Sequence, residues 1–114
     1  MCNDSRYDFI DRYIYSLLDP RIDKKIVYVG QSIHPYKRYE QHFVDYTNHE
    51  KGKWIDELSK LGLEPVLRIE RVVTASQFIA FEWEMHVTVL YRDLGYKVLS
   101  VSPQKIDKIY SLKV

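Results

Sequence analysis

The chain is poor in cysteine, glycine and proline, and it has no long apolar segment. Its 114 residues include four glycines, four prolines and a single cysteine, Cys2. No disulfide can therefore form within the chain, and we expect a reducing compartment. No apolar run approaches the ~18 residues needed to span a membrane, and the polar stretch 1–8 lacks the apolar core of a signal peptide. We expect an intracellular protein with no membrane partner.

An excess of charge of one sign is also missing. Lysines and arginines number 17 against 16 acids, which gives a formal net charge of +1. Neither side of Gly62 forms a basic arm, because 10 bases and 10 acids precede it and 7 bases and 6 acids follow it. What the chain does have is 46% hydrophobic and 14% aromatic residues, enough to build the core of one domain. Any attraction to an anionic partner must be local.

A β-hairpin is predicted near the start of the chain. Residues 12–18 and 25–29 are rich in β-branched and aromatic side chains, and the segment 19–23 between them has the composition of a turn. Pairing about the centre of this turn places Tyr15 directly opposite Tyr28. Opposed residues share a face of the sheet, so the two phenols should lie side by side.

A helix over residues 35–46 should follow the hairpin. Ser32 is a capping residue, and Pro35 suits the first helical turn. Arg38 and His42 are four residues apart and therefore share a face, which is free to look toward the end of the hairpin. An adjoining aromatic stripe should pack in the core: Tyr39, Phe43 and Tyr46.

These residues resemble the motifs of a GIY-YIG nuclease domain. The first motif appears as Tyr13-Ile14-Tyr15, the second as Tyr28-Val29-Gly30, and the helix motif as Arg38-Tyr39-Glu40-Gln41-His42. Tyr13 departs from the pattern, because the first motif begins with glycine in the family. The resemblance spans roughly residues 11–100. It implies a metal-dependent endonuclease that hydrolyses DNA and leaves a 5′-phosphate.

The rest of the sequence completes the order ββααβα. Residues 47–50 have capping-box spacing at the start of a helix that Gly62 ends. Alternating apolar residues predict a third strand over 65–73, a long helix is predicted over 75–94, and 96–99 form a short extended return. The predicted class is α+β, with a small three-stranded antiparallel sheet flanked by three helices, as the resemblance also implies.

We divide the chain into three segments. Residues 11–100 form the GIY-YIG-like domain, preceded by an extension over 1–10 and followed by a tail over 101–114. No internal repeat, linker or low-complexity segment interrupts the domain.

Hydrolysis of a phosphodiester needs a base for the attacking water and positive charge for the phosphoryl oxygens. Arg38 offers a planar guanidinium whose donors match phosphate oxygens. Tyr15 or Tyr28 would accept the proton; the residues leave the choice open, and the resemblance favours Tyr15. A phenol with a pKa of about 10 is ionised in roughly one molecule in a thousand at pH 7, so it needs a nearby cation. His42 either relays this proton or binds a phosphate.

The long helix offers two acids, Glu82 and Glu84, for the divalent cation that the resemblance implies, Mg²⁺ with Mn²⁺ as a substitute. Glu84 fits better, because its helical face is mostly apolar and an unpaired carboxylate there is costly without a cation. Glu82 with His86 four residues later is the alternative pair. The resemblance also implies an asparagine in the returning segment, where Ser100 stands instead.

Further polar residues near these elements are candidate contacts to a nucleic-acid backbone. They are Lys24, Lys25, Gln31, Ser32, Lys37 and Ser100.

Three classes of function remain. The leading hypothesis is a metal-dependent DNA endonuclease. A catalytically weakened module that binds branched or nicked nucleic acid is the second, favoured by the missing asparagine and the neutral charge. A structural or protein-interaction role explains the aromatics but not the coincidence of Arg38, His42 and Glu84 with two tyrosines. We expect DNA as the partner, a protein partner or homodimer to direct the target, and a cytoplasmic or nucleoid-associated location.

Overall fold

The computed structural model describes residues 6–23, 25–45 and 48–100. Its elements are β1 (Ile10–Asp19), β2 (Lys25–Ser32), α1 (Pro35–His42), α2 (His49–Lys60), β3 (Val66–Ala75) and α3 (Gln77–Asp93). The strands form one antiparallel sheet in the order β2-β1-β3. The predicted α+β class, the ββααβα order and the three-stranded antiparallel sheet are therefore confirmed.

The β1–β2 hairpin has a different register from the predicted one. Tyr15 pairs with Gly30, and Leu17 pairs with Tyr28, so the predicted opposition of the two tyrosines is wrong by two residues. One residue of this offset arises at the turn, where Asp19 pairs with Lys25, and the second arises from an irregularity between Leu17 and Leu18. The turn composition reveals neither. Because side chains alternate along a strand with a period of two, a slip of two keeps both phenols on one face. Their ring centroids are 6.4 Å apart.

The hairpin turn is fastened by one buried carboxylate. Asp19 accepts hydrogen bonds from the backbone and guanidinium of Arg21, and its Oδ2 also accepts one of 3.0 Å from Trp54 Nε1 in α2. The Arg21 and Trp54 donors hold the pKa of Asp19 below its usual range despite burial. The turn is thereby fixed against α2.

β1 is the central strand, and both of its faces are buried. On one face Tyr15 and Leu17 pack with α2 residues that include Leu58. On the other face, Ile14 and Leu18 of β1 pack with Ala80 of α3. Each large apolar side chain buried in this way contributes about 1.5–3 kcal/mol. The two layers therefore hold α2 and α3 on opposite sides of the sheet.

α1 is shorter than predicted and ends at His42, not at residue 46. Pro35 begins it as expected, but its cap differs: the Ser32 hydroxyl accepts from His34 N at 2.9 Å, and His34 itself occupies the cap position. Two members of the predicted aromatic stripe, Tyr39 and Phe43, pack against the α2 side of the core. The third, Tyr46, lies outside the described residues.

The other two helices begin at side-chain caps. Asn48 caps α2 by accepting from Lys51 N at 3.1 Å, whereas the predicted cap, Thr47, lies outside the described residues. Ser76 caps α3 by accepting from Ile79 N. Both helices end within two residues of a glycine with positive φ, as the sequence predicts.

After α3 the chain returns along the free edge of β2. Leu99 N donates to Val27 O at 2.7 Å, and the Ser100 hydroxyl both donates to Val29 O and accepts from Val29 N at 2.7 Å. The predicted tail over 101–114 lies outside the described residues. In the described part of the chain, no helix is long and apolar enough to cross a membrane.

Candidate active site

Side chains from four elements come close enough around Tyr15 to interact with one another. β1 supplies Tyr15, β2 supplies Tyr28, α1 supplies Arg38 and His42, and α3 supplies Glu84. The rings of Tyr15 and Tyr28 lie 5.8 and 4.9 Å from the His42 ring. The charges of Arg38 and Glu84 both act on the two phenols. The structure thus brings together five residues that span about seventy positions of sequence.

A continuous polar chain runs through this cluster. Tyr15 Oη lies 2.6 Å from His42 Nε2, and His42 Nδ1 lies 2.8 Å from Lys51 Nζ. Asp45 then joins the two cations, because its Oδ2 is 3.6 Å from Lys51 Nζ and 3.1 Å from Arg38 Nη2. Each link is within the range of a hydrogen bond or ion pair. These contacts hold the phenol, the imidazole and the guanidinium in fixed relative positions.

Burial keeps the aromatic members of the cluster neutral. It raises the pKa of Tyr15 well above that of a free phenol, with Tyr28 adding to the shift and Arg38 opposing it. It raises the pKa of Tyr28 to about 12. Burial lowers the pKa of His42 to about 3, and the positive charges of Lys51 and Arg38 add to this shift. At neutral pH, His42 is therefore an uncharged imidazole beside two protonated phenols.

Glu84 is the buried acid of the cluster. Its residue is 5% exposed, and burial raises the pKa of its carboxyl to about 8, with Arg38 opposing that shift. Among the described residues, none donates a hydrogen bond to this carboxyl or forms an ion pair with it. No fully buried polar side-chain atom of the described residues lacks a partner, so the carboxyl oxygens of Glu84 keep a small contact with solvent. Glu82 is two residues away on α3 and therefore points to nearly the opposite side, where it and His86 are exposed to solvent.

The donor set around Glu84 suits a hard divalent cation. Mg²⁺ is usually held by one or two carboxylates, while water and substrate phosphate fill its other positions. Residues 6–23, 25–45 and 48–100 contain no cluster of three or more His, Cys, Asp or Glu side chains arranged to bind a metal ion by themselves. A single buried carboxyl without a protein partner fits a cation that takes one ligand from the protein and the others from water and substrate. Glu84 is the residue that would hold Mg²⁺ or Mn²⁺.

Replacing the buried carboxyl should change how stability depends on pH. The carboxyl has an ordinary pKa of 4.5 and a folded-state pKa of about 8, so the unfolded chain ionises first as pH rises. Stability should therefore fall between about pH 4.5 and 8, and Glu84→Gln should remove that fall. We expect the variant to be more stable at pH 7 by on the order of 2–3 kcal/mol in urea unfolding with EDTA.

Glu82→Gln, an exposed change on the same helix, is the matched control and should follow the parent at every pH. If the parent and Glu84→Gln show the same loss of stability from pH 5 to pH 8, Glu84 is not the buried acid described above.

Gly30 makes room for the two phenols. A Cβ at this position would lie 2.5 Å from Tyr15 Oη and 3.0 Å from Tyr28 Cε1. Gly30→Ala should therefore push Tyr15 away from His42 and lower the free energy of unfolding by about 1–3 kcal/mol. Gly52→Ala on α2 is the control, since a Cβ there meets nothing within 4 Å. Gly52→Ala should raise the free energy of unfolding by about 0.5–1 kcal/mol, because alanine favours a helix over glycine. Urea unfolding compares them, and a Gly30 variant as stable as the parent would contradict this packing.

The candidate nucleic-acid contacts are divided between the two ends of β2. Lys25 begins the strand, whereas Gln31 and Ser32 end it and Lys37 follows on α1. Eight strand residues extend over about 23 Å, so one phosphate cannot touch both ends. The cluster lies nearer the second end, because Tyr15 pairs with Gly30. Lys24, beside Lys25, lies outside the described residues.

Lys37 borders an open groove of about 460 Å³ with the exposed Tyr36 and with Tyr13. Ser100, by contrast, is buried, and its hydroxyl is occupied by the backbone of Val29. In this position Ser100 fixes the edge of β2 and does not present its hydroxyl to a ligand. The predicted contacts thus separate into surface residues and one structural residue.

Two members of the polar chain, Lys51 and Asp45, were not predicted from the sequence as site residues. A signal for Lys51 does exist: it stands three, four and seven residues before Trp54, Ile55 and Leu58, and so occupies the apolar stripe of α2. A lysine in such a stripe needs a buried partner. Asp45 carries no comparable signal, because it follows the end of α1 in a short connection.

Comparison with known proteins adds no further constraint: no family model, no curated protein and no solved structure matches this chain.

Proposed function

We propose that the chain is a metal-dependent endonuclease that hydrolyses phosphodiester bonds of DNA. The observation that carries this proposal is the convergence of two phenols, one guanidinium and one unpaired buried carboxyl from four elements. A carboxyl held in an apolar setting without a partner lowers stability. A purely structural role gives no reason to keep it, whereas a cation-binding role does.

The chain's own residues can divide the reaction among them. Tyr15 acts in the reaction as its phenolate, after its own proton has been released to solvent. The phenolate accepts the proton of a water molecule as the water oxygen bonds to phosphorus, while the bond from phosphorus to the leaving sugar oxygen breaks. That oxygen takes a proton from solvent, and Tyr15 later returns its proton to solvent. Arg38 donates to the phosphoryl oxygens, where negative charge grows. The resemblance to GIY-YIG nucleases suggests a 5′-phosphate product.

Glu84 would hold the divalent cation, Mg²⁺ or Mn²⁺, next to Arg38 and the phenols. When bound, the cation supplies positive charge that favours ionisation of nearby acids and offsets charge on a phosphate. Because the pKa of the Glu84 carboxyl is about 8, cation binding near pH 7 must release a proton from it.

The DNA backbone would pass the cluster on the side of α1. Lys37 is exposed there, beside Gln31 and Ser32 at the end of β2. Lys25, with Lys24 beside it, would contact a more distant part of the duplex. With a net charge of +1, the chain gains little affinity from total charge, so a protein partner or a homodimer would direct it to its target. We propose a cytoplasmic or nucleoid-associated location, where DNA is present.

The test is nicking of supercoiled plasmid by the purified chain in Mg²⁺, in Mn²⁺ and in EDTA. We expect open circles only with a divalent cation, and 5′-phosphate ends that a ligase can seal. Glu84→Gln should bind DNA in EDTA as the parent does and fail to nick it.

Binding of branched or nicked DNA without cleavage in any divalent ion would reject the nuclease. It would favour the alternative, an accessory nucleic-acid-binding module of the same fold.

A further inference from the structure

Lys51 is an almost fully buried lysine next to the candidate active site. Its residue is 1% exposed, although lysine is rarely buried to this extent without a partner. Its Nζ lies 2.8 Å from His42 Nδ1, 3.6 Å from Asp45 Oδ2 and 5.2 Å from the centroid of the Tyr28 ring. Three groups thus surround the amine, and each imposes a chemical requirement on it.

Two of these groups favour the ammonium form. The Asp45 carboxylate attracts it, and the face of the Tyr28 ring stabilises a cation held above it. Burial and the neighbouring Arg38 act in the other direction and lower the pKa of Lys51. Two further titratable groups belong to the cluster: Tyr15 contacts the other nitrogen of His42, and Glu84 interacts electrostatically with Arg38. The geometry around Nζ is that of a cation held between a carboxylate and an aromatic face.

An ammonium group has three donors and no acceptor. Its contact with His42 therefore requires a lone pair on Nδ1. A neutral imidazole carries one proton, which must then sit on Nε2 and point at Tyr15 Oη, 2.6 Å away. Tyr15 accepts this hydrogen bond, so its own proton is not donated to His42.

We propose that Lys51 is a positioning residue that fixes His42 as the Nε2-protonated tautomer, so that His42 donates to Tyr15 and cannot accept its proton. The catalytic consequence rests on the proposed function. A donor aimed at Tyr15 Oη stabilises the phenolate, the form that can take a proton from water. His42 is then a donor to the base and not a proton relay, which decides between the two roles that the sequence left open.

The tautomer can be observed without DNA or a divalent cation. Long-range ¹H–¹⁵N correlation spectra of the ¹⁵N-labelled full chain at pH 7 distinguish a protonated ring nitrogen from an unprotonated one. We expect Nε2 of His42 to be protonated and Nδ1 to be unprotonated. The exposed His34, His49 and His86 give reference signals in the same spectrum. A proton on Nδ1, or on both nitrogens, would overturn the proposal even if the chain proves to be an active nuclease.

Lys51→Met keeps the length of the side chain and removes its donors. In this variant, we expect the Nδ1-protonated form to appear, with Tyr15 now donating to Nε2. Lys51→Arg keeps a donor-only cation and should retain the parent tautomer. If Lys51→Met fails to fold, as thermal unfolding would show, the parent and arginine spectra still decide the assignment. An unchanged tautomer in folded Lys51→Met would refute the role of Lys51.

The nicking reaction provides a second measurement. Lys51→Met should lower kcat by about 10- to 100-fold, as loss of a residue that orients a histidine does in other enzymes, with little change in KM. The rising part of its pH–rate profile should move to higher pH, which a general loss of stability would not cause. Lys60→Met, an exposed change at the end of α2, should match the parent. A parent-like kcat and pH profile in Lys51→Met would contradict the catalytic part of the proposal and leave the measured tautomer intact.

Discussion

Arg38→Ala should lower the rate of plasmid nicking by about 10²- to 10³-fold while leaving the fold intact. The side chain of Arg38 is 32% exposed and lies at the rim of the cluster, so its removal opens no cavity in the core. Its partner Asp45 keeps its ion pair with Lys51. The loss should therefore appear in kcat, because a preorganised donor to the phosphoryl oxygens is missing in the transition state. Nicking assays with excess Mg²⁺ and urea unfolding together separate rate from stability.

Two further variants sharpen this test. Arg38→Lys keeps the charge but loses the paired donors, and we expect a rate between those of the parent and Arg38→Ala. Arg71→Ala removes an exposed arginine whose guanidinium stacks 4.3 Å from the centroid of the Trp83 ring and has no contact with the phenols or His42, and it should leave the rate unchanged. Arg38 has no part in the reaction if Arg38→Ala nicks within threefold of the parent.

Features of the fold that depend on local pattern could be predicted from the sequence. The β-branched and aromatic composition of β1, the alternation in β3, and the glycines after α2 and α3 mark elements whose order and type the structure confirms. The register of the hairpin could not be predicted, because the shift beside Leu17 depends on how two strands fit together. The early end of α1 has a similar origin. The chain turns there, and Asp45 can then meet Arg38 and Lys51.

The same distinction holds for the site. Arg38 and His42 share a face because they are four residues apart on one helix, so the sequence was sufficient to pair them. His42 and Lys51 lie on different helices, and only the packing of α1 against α2 brings their nitrogens to 2.8 Å. The sequence also marked Glu84 through its apolar helical face, but the extent of its burial depends on how α3 packs on the sheet.

Tyr15→Phe should lower the nicking rate by about 10²- to 10⁴-fold, the range that loss of a general base usually covers. The change removes only Oη and keeps the ring in the core. It also leaves a buried nitrogen of His42 without its partner at 2.6 Å, which should lower the free energy of unfolding by about 1–3 kcal/mol. Burial raises the pKa of Tyr15, so the parent rate should increase with pH through the neutral range as more phenolate forms. Tyr15→Phe should lose that increase.

Tyr39→Phe is the matched control, because it removes a phenol oxygen that donates to Pro65 O at 2.7 Å outside the cluster. It should lose stability of similar size and keep its activity, which separates the loss of a hydrogen bond from the loss of the base. Tyr13→Phe, on the same strand as Tyr15, should be nearly silent. Tyr28→Phe tests the remaining phenol, which contacts His42 and Lys51 through its ring. A full loss of activity in Tyr28→Phe, with a folded Tyr15→Phe still active, would transfer the role of base to Tyr28.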